Sequence, residues 1–228
     1  MTSTTFDIAS IKKHLMEDGF YDLQDSVAGE RLEDMDKRGR RFVTPYGLDF
    51  LKFIVLNPRI RRIWKEFYGR VTLGHSLIYN EKPDRIYSFS RGGPGTFFTP
   101  AVHIWSKGSV VEYWMGSQHH QLPILDGPKD NQPREPMFEY ALSSLMDANC
   151  QRRRFELTNG ALILVDARIA FTRSKNDMLL NVFFPNELIR PPLMILRKWS
   201  QELANKVQDL QSDEVGANFQ FEIGTMDE

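Results

Sequence analysis

Hydrophobic residues in the first third of the chain recur at the spacing of a helix face. Asp7–Asp18 shows this spacing and is followed by Gly19, at which a helix can end. Glu30–Lys37 is predicted to be a second short helix, highly charged and ended by Gly39. Another helix is predicted after Asn57-Pro58, because asparagine caps a helix and proline fits its first turn. Residues 1–70 are therefore predicted to be a helical N-terminal part.

From residue 71 onward the pattern changes to the alternation that is typical of β-strands. Short strands are predicted at Val71–Tyr79 and around Ile86–Ser88. The run Ala161–Val165 is apolar without interruption, as expected for a strand that is buried on both faces. Two further strands are predicted at Ile169–Thr172 and Met178–Phe184, and a short turn separates them. These strands predict a β region over residues 71–186.

The last fifth of the chain is again helical in pattern. Apolar residues recur there at intervals of three and four, which predicts one long amphipathic helix beginning at Pro191-Pro192 and closing the fold over residues 190–212. The residues of that apolar stripe are Leu196, Trp199, Leu203, Val207 and Leu210. Residues 213–228 are predicted to be a loose tail.

The stretch Phe97–Met115 is predicted to be the centre of the β region. Two apolar strands, Phe97–Trp105 and Val110–Met115, flank a short Ser-Lys-Gly-Ser turn, which is the pattern of a β-hairpin. Together with about eight short strands and no linker, this predicts one domain over residues 1–228. The fold class is α+β, mainly β: a double-stranded β-helix, or jelly roll, with N-terminal helices and a C-terminal helix.

Charge and composition exclude several functions. The 29 basic and 30 acidic residues give a net charge of -1, which argues against a nucleic-acid partner. No apolar run approaches the roughly 20 residues of a membrane span, so no membrane partner is expected. The single cysteine, Cys150, fits a reducing compartment, and a cytoplasmic protein is expected.

Several side chains near the predicted hairpin could do acid–base chemistry. His103 shares a strand face with Trp105, and an imidazole there could exchange protons near neutral pH or could be a core histidine bonded to a carbonyl. Glu112 shares a face with Trp114 and is either a proton acceptor or solvated. His119 and His120 follow the second strand and point in different directions, so at most one enters a pocket.

Asp166 and Arg168 form the remaining polar pair of the β region. They lie two positions apart on one strand, so they can bind a ligand together or pair with each other. With His103, His119 and Glu112, they are the predicted catalytic residues.

The order of these motifs resembles the phytanoyl-CoA-dioxygenase-like branch of the iron(II)/2-oxoglutarate oxygenases, which includes enzymes that tailor natural products. Gly116-Ser117-Gln118-His119 is similar to that family's turn before a histidine. Gly160-Ala161-Leu162, Asp166-Ala167-Arg168-Ile169 and Asn176 are similar to the strand pair that normally carries the distal iron ligand. The resemblance implies a jelly-roll barrel and a pocket for a small molecule.

The chain departs from the family pattern at the positions that bind iron and 2-oxoglutarate. Ile86–Ser90 contains no His-x-Asp pair, and Phe171 occupies the position of the distal histidine. Met178–Val182 lacks the arginine that would bind the 2-oxoglutarate carboxylate. A phenyl ring cannot ligate iron, and leucines cannot bind a carboxylate. We therefore expect no metal and no cofactor.

Three hypotheses follow from this pattern. The first is a metal-independent enzyme that uses the barrel for a cyclisation, isomerisation or dehydration of a small apolar metabolite. The second is an oxygenase that uses Fe(II) and 2-oxoglutarate with a non-standard triad, and the third is a non-catalytic small-molecule binder. The expected partner is a small-molecule substrate, and the sequence is compatible with either a monomer or a homodimer. The residues predicted to contact the substrate are His75, Tyr79, Tyr87, Trp105, Trp114, His120 and Phe171.

Overall fold

The computed structural model describes residues 7–25, 27–39, 44–79, 84–125, 137–176, 178–186, 192–197 and 199–222. Strands predominate, and large antiparallel sheets combine with helices in a mixed α/β architecture. The described helices are α1 (Ile8–Glu17), α2 (Ala28–Lys37), α3 (Pro45–Val55), α4 (Pro58–Tyr68), α5 (Leu142–Asp147) and α6 (Gln201–Gln208). No helix among these residues is long and apolar enough to cross a membrane.

The strands run from the first helix to near the end of the chain. They are β1 (Phe20–Asp22), β2 (Val71–Tyr79), β3 (Ile86–Ser88), β4 (Pro100–Trp105), β5 (Ser109–Met115), β6 (Phe138–Tyr140), β7 (Gln151–Leu157), β8 (Ala161–Asp166), β9 (Ala170–Lys175), β10 (Met178–Pro185), β11 (Met194–Leu196), β12 (Val215–Ala217) and β13 (Phe219–Phe221).

Helices α1 and α4 begin where the sequence predicts, whereas α2 begins at Ala28, two residues before the predicted start. The Asp7 carboxylate accepts a hydrogen bond from the Ala9 amide at the start of α1. The Asn57 side chain accepts from the Arg59 amide before α4, and Pro58 occupies the first turn. These caps satisfy amide groups that have no partner inside the helix, which fixes where each helix starts.

The chain divides into two compact units. The first comprises Met1–Glu30 and Ile78–Met178, and the second comprises Arg31–Leu77 and Leu179–Glu228. The prediction of one domain, with a barrel over residues 71–186, stays a prediction.

The first unit contains two antiparallel sheets. In one, β8 lies between β1 and β4, with His103 of β4 opposite Ile163 of β8. The other has the order β6-β3-β9-β5-β7. β8 is buried along its whole length, which confirms the prediction from its unbroken apolar run. Aromatic rings from β4, β5 and β9 meet between the two sheets.

The predicted hairpin between β4 and β5 is wrong. A tight turn does join the strands, and the Ser109 amide donates to the Ser106 carbonyl. However, β4 pairs with β8, whereas β5 pairs with β7 and β9. The chain therefore passes from one sheet to the other at this turn, which leaves the side chains of β4 and β5 facing each other.

The second unit contains α3, α4, α6 and most of α2, with strands in the order β10-β2-β12 and a separate pair, β11 and β13. β12 runs parallel to β2, and β13 runs parallel to β11. Trp64 of α4 packs against Phe183 of β10, and both side chains are fully buried.

Two predictions for the C-terminal region are wrong. Leu196 belongs to strand β11, and the closing helix α6 starts only at Gln201, where the Ser200 hydroxyl accepts from the Leu203 amide. The predicted tail contains β12 and β13, because partner strands elsewhere in the unit supply their hydrogen bonds. The predicted start at Pro191 and the last six residues lie outside the described residues.

Candidate functional site

The buried polar centre of the first unit is a network of three side chains. The Tyr113 hydroxyl lies 2.9 Å from His103 Nδ1 and 3.0 Å from Trp105 Nε1. His103 is 2% exposed, and Trp105 and Tyr113 are fully buried. The crossing between sheets creates this network, because it turns His103 and Trp105 of β4 toward Tyr113 of β5.

The direction of each hydrogen bond follows from the donors available. The indole N–H of Trp105 can only donate, so the Tyr113 oxygen accepts from it. Among the described residues, His103 Nδ1 is the one acceptor that lies within hydrogen-bond distance of the phenol's own proton, and donation to it places the imidazole proton on Nε2. Nε2 makes no hydrogen bond to the part of the chain that the structure describes. The network therefore leaves one imidazole N–H without a partner among the described residues.

Burial keeps both His103 and Tyr113 neutral. It lowers the pKa of His103 to about 3, because a charged imidazolium would lose its hydration. Burial likewise raises the pKa of the Tyr113 phenol well above its usual range, and the nearby Asp22 carboxylate raises it further. At neutral pH His103 is therefore a hydrogen-bond donor rather than a base.

Aromatic rings enclose this network. The Phe171 ring lies edge-on to His103 at 4.9 Å between centroids, and Tyr79 lies edge-on to Phe171 at 5.6 Å. Tyr87 packs edge-on to Tyr79 at 5.4 Å, and Phe20 stacks on Tyr113 at 4.8 Å. The structure therefore brings together His103 and four of the predicted substrate-contacting residues, Tyr79, Tyr87, Trp105 and Phe171.

Glu112 and Trp114 lie on the opposite face of β5 from Tyr113. The Glu112 carboxylate lies 3.6 Å from both Arg152 and Arg154 on the neighbouring strand β7. Trp114 packs in a second apolar cluster with Leu122, Tyr140 and Leu145, and its indole donates to Thr172. Because neighbouring residues of a strand point to opposite faces, neither side chain joins the His103 network.

Asp166 and Arg168 form a buried ion pair, as one of the two interpretations of the sequence proposed. Arg168 Nε lies 2.9 and 3.0 Å from the two carboxylate oxygens, and Nη1 donates to the Thr96 carbonyl. Burial raises the pKa of Asp166, although its bonds to Arg168 act in the opposite direction. The pair joins the end of β8 to the loop that contains Thr96.

His119 and His120 are both exposed, on the short turn Ser117–His119 and directly after it. His119 Nε2 lies 3.0 Å from the Met16 carbonyl at the end of α1. Neither histidine enters the buried interior, and the predicted catalytic role of His119 and substrate contact of His120 stay predictions. The sharp turn keeps both rings at the surface.

His75 belongs to the second unit, where it lies half-buried on β2. Burial lowers the pKa of its imidazole. Together with Ser76, it lines a cavity of about 300 Å³.

Sequence reasoning missed Tyr113, which completes the network. Tyr113 lies on the same face of β5 as the buried Val111 and on the opposite face from Glu112. The alternation of the strand therefore indicated that the ring of Tyr113 faces inward. That its hydroxyl meets His103 could not be inferred, because the predicted hairpin would have placed the two strands side by side in one sheet.

The described residues do not fit an iron(II)/2-oxoglutarate centre. Such a centre needs two histidines and a carboxylate with open coordination positions. His103 is instead surrounded by Trp105 and Phe171, which cannot ligate iron, and by Tyr113, whose neutral hydroxyl is already hydrogen-bonded to His103 and Trp105. Within the described ranges, no three histidine, cysteine, aspartate or glutamate side chains are grouped so that they could hold a metal ion.

No protein-family model matches the sequence, and no curated protein matches it. Solved structures do resemble it. The epimerase SnoN, in complex with Fe3+, alpha ketoglutarate and nogalamycin RO, has a TM-score of 0.51 at 13% identity, over 78% of this chain and 83% of SnoN. AviO1 from Streptomyces viridochromogenes Tue57 has a TM-score of 0.51 at 13% identity, over 83% of this chain and 100% of AviO1.

Apo HygX from Streptomyces hygroscopicus has a TM-score of 0.51 at 14% identity, over 85% of this chain and 92% of HygX. HygX is also known with nickel and 2-oxoglutarate bound. At such low identity these likenesses establish a shared fold and leave the chemistry of this chain to its own residues.

Proposed function

We propose that the chain is a metal-independent enzyme that tailors natural products. It would catalyse a redox-neutral step, a cyclisation, isomerisation or dehydration, on a small apolar metabolite. We further propose that its fold is the double-stranded β-helix of the phytanoyl-CoA-dioxygenase-like branch. The fold shared with the epimerase SnoN supports a tailoring role for this scaffold.

The observation that carries the proposal is the environment of His103. A histidine on the inner face of β4 is held by Tyr113 and enclosed by rings, in a fold whose relatives SnoN and HygX bind metal and 2-oxoglutarate. The described residues at this position provide the neutral imidazole N–H of His103 and an apolar surrounding. They do not provide the group of histidine and carboxylate side chains that would bind a metal ion.

The chemistry follows from the neutral imidazole. His103 Nε2–H would donate to a carbonyl or hydroxyl oxygen of the substrate and stabilise negative charge that develops there. A fixed donor in a site of low dielectric is worth roughly a 10²–10³-fold increase in rate. Tyr113 is a positioning residue, because it holds the imidazole in the tautomer that donates. Trp105 and Phe171 would restrict an apolar substrate to a reactive conformer.

Metal loading tests whether the enzyme works without iron. The protein is incubated anaerobically with iron(II) and 2-oxoglutarate, desalted, and assayed for bound iron and for succinate. We expect only trace iron and no succinate. Iron bound in stoichiometric amount by side chains, with succinate formed on turnover, would overturn the proposal.

A substrate screen tests the reaction class. Small apolar polyketides and terpenoids are incubated with the protein in the presence of a chelator, and products are separated by liquid chromatography with mass detection. We expect a product of unchanged mass, or one that has lost water, and we expect His103→Phe to abolish it. An oxidised product that requires added iron would contradict the reaction class.

A second function, binding without turnover, is favoured by one observation. Neither His103 nor Tyr113 changes its protonation near neutral pH, because burial moves both pKa values away from that range. A metabolite that binds stoichiometrically and is recovered unchanged would support this function over catalysis.

A further inference from the structure

The second unit contains a cavity of about 300 Å³ that the proposed chemistry at His103 does not use. This volume is at the lower end of the range of ligand pockets, roughly 300–1,000 Å³, so a molecule that fills it is small. Most of its wall is apolar and is formed by Leu51, Pro192, Leu193, Met194, Ile195 and Phe219.

One side of the cavity is polar. His75 and Ser76 lie there, and the Ser76 hydroxyl donates to Asn181 Oδ1 over 2.9 Å. Asn181 is fully buried, and its Nδ2 has no hydrogen-bond partner in the described part of the chain. A hydroxyl that donates its proton keeps lone pairs that can accept, so Ser76 can receive a hydrogen bond from a ligand.

Among the described residues, the lining carries no permanent charge. The lining residues that the structure describes include no lysine, arginine, aspartate or glutamate. Burial lowers the pKa of His75, which keeps its imidazole neutral at neutral pH. A charged ligand would lose its hydration here without gaining an ion pair, so the cavity selects against ions.

Backbone packing shapes the wall. A Cβ atom added at Gly74 would lie 2.8 Å from Pro192 Cδ and 2.9 Å from a ring carbon of Phe184. Glycine therefore allows Pro192 to approach β2 closely. Leu193 and Ile195 remain 49% and 48% exposed, so apolar side chains of the lining also reach solvent.

We propose that this cavity binds a small, uncharged, mainly apolar molecule that donates one hydroxyl hydrogen bond to the polar side formed by His75 and Ser76. The inference rests on the lining of the second unit alone and does not depend on the function proposed for His103.

A matched series of ligands tests the predicted chemistry. 2-Naphthol is neutral and carries one hydroxyl, naphthalene lacks the hydroxyl, and 2-naphthoate carries a negative charge. Binding is measured by titrating each fluorescent probe with protein. We expect 2-naphthol to bind saturably with one site per chain and about fivefold more tightly than naphthalene, which corresponds to ~1 kcal/mol. We expect 2-naphthoate to bind more weakly than both.

Substitutions locate the site. Ile195→Trp adds volume at a half-exposed lining residue and should weaken 2-naphthol binding at least tenfold. Leu142→Trp, at a residue of α5 that is 54% exposed and does not line the cavity, is the matched control and should leave binding unchanged. Ser76→Ala should remove the preference for 2-naphthol over naphthalene while naphthalene still binds.

The result that overturns the inference is equally specific. Equal binding of 2-naphthol and 2-naphthoate, or unchanged 2-naphthol binding by folded Ile195→Trp protein, would exclude this cavity as the site. His103→Phe should retain full 2-naphthol binding. If His103→Phe abolishes it, the probe binds in the first unit and the inference is wrong, whatever the outcome of the iron and turnover assays.

Discussion

Replacing Tyr113 with phenylalanine removes one oxygen on which two buried side chains depend. His103 Nδ1 lies 2.9 Å from that oxygen, and Trp105 Nε1 lies 3.0 Å from it. The phenyl ring is retained, so the packing against Phe20 and Phe155 stays in place. The substitution therefore separates the hydrogen bonds of the network from its packing.

The size of the effect follows from the two groups that lose a partner. A buried polar group without a partner costs roughly 1–3 kcal/mol. With two such groups, Tyr113→Phe should lower the free energy of unfolding by about 2–6 kcal/mol. In a His103→Phe background only the Trp105 indole is left without a partner, so the same change should lower it by no more than about half as much. The two substitutions should therefore be coupled by about 1–3 kcal/mol.

Urea unfolding of the four proteins of this cycle, followed by tryptophan fluorescence, measures the coupling. Tyr21→Phe is the matched control, because this half-buried tyrosine makes no hydrogen bond through its hydroxyl to the described residues and should change stability by no more than ~0.5 kcal/mol. Additivity of the His103 and Tyr113 substitutions within ~0.5 kcal/mol would refute the network. Nitrogen NMR of His103 provides a second check, since Nε2 should carry the proton.

Three further predictions concern stability and are measured by urea unfolding. Burial lowers the pKa of folded His103 to about 3 from the ordinary value of about 6.5. The unfolded state therefore binds more protons between these pH values, and the stabilisation present above pH 6.5 is lost as pH falls. The stability difference between the unmodified protein and His103→Phe should therefore shrink by about 1.4 kcal/mol per pH unit between roughly pH 6 and pH 4, and a constant difference would contradict the buried neutral imidazole. Asp166→Ala should lower the free energy of unfolding by about 3–5 kcal/mol, because it leaves the buried Arg168 without its carboxylate partner. Glu112→Gln should lower it by at most ~1 kcal/mol, because the arginine partners of Glu112 are exposed. Equal losses of stability in the two variants would contradict the difference between a buried and an exposed ion pair. Gly160→Ala should lower the free energy of unfolding by more than ~1 kcal/mol, because φ is +75° and the new Cβ would clash with the Trp105 carbonyl oxygen. Gly95→Ala is the control, with φ +76° and open space around it, and should lower stability less. A larger loss for Gly95→Ala than for Gly160→Ala would contradict the close contact at Gly160.

Local features of the sequence determined many of the elements. The caps at Asp7 and Asn57 fix helix starts because they act on amides within a few residues. The unbroken apolar run of β8 indicated burial on both faces, which holds whichever strands lie beside it. The shared face of His103 and Trp105 follows from strand alternation alone.

Contacts between distant residues determined the rest. The turn after Trp105 has the sequence of a hairpin. However, β4 pairs with β8, and β5 pairs with β7 and β9, at least 36 residues later in the chain. Leu196 has helical spacing with Leu203, yet pairing with Phe221 holds it in a strand. A periodic pattern states which face of an element is apolar, but not which other element will cover it or supply its hydrogen bonds. That choice placed the Tyr113 hydroxyl against His103, because only the packing of two sheets brings β4 and β5 face to face.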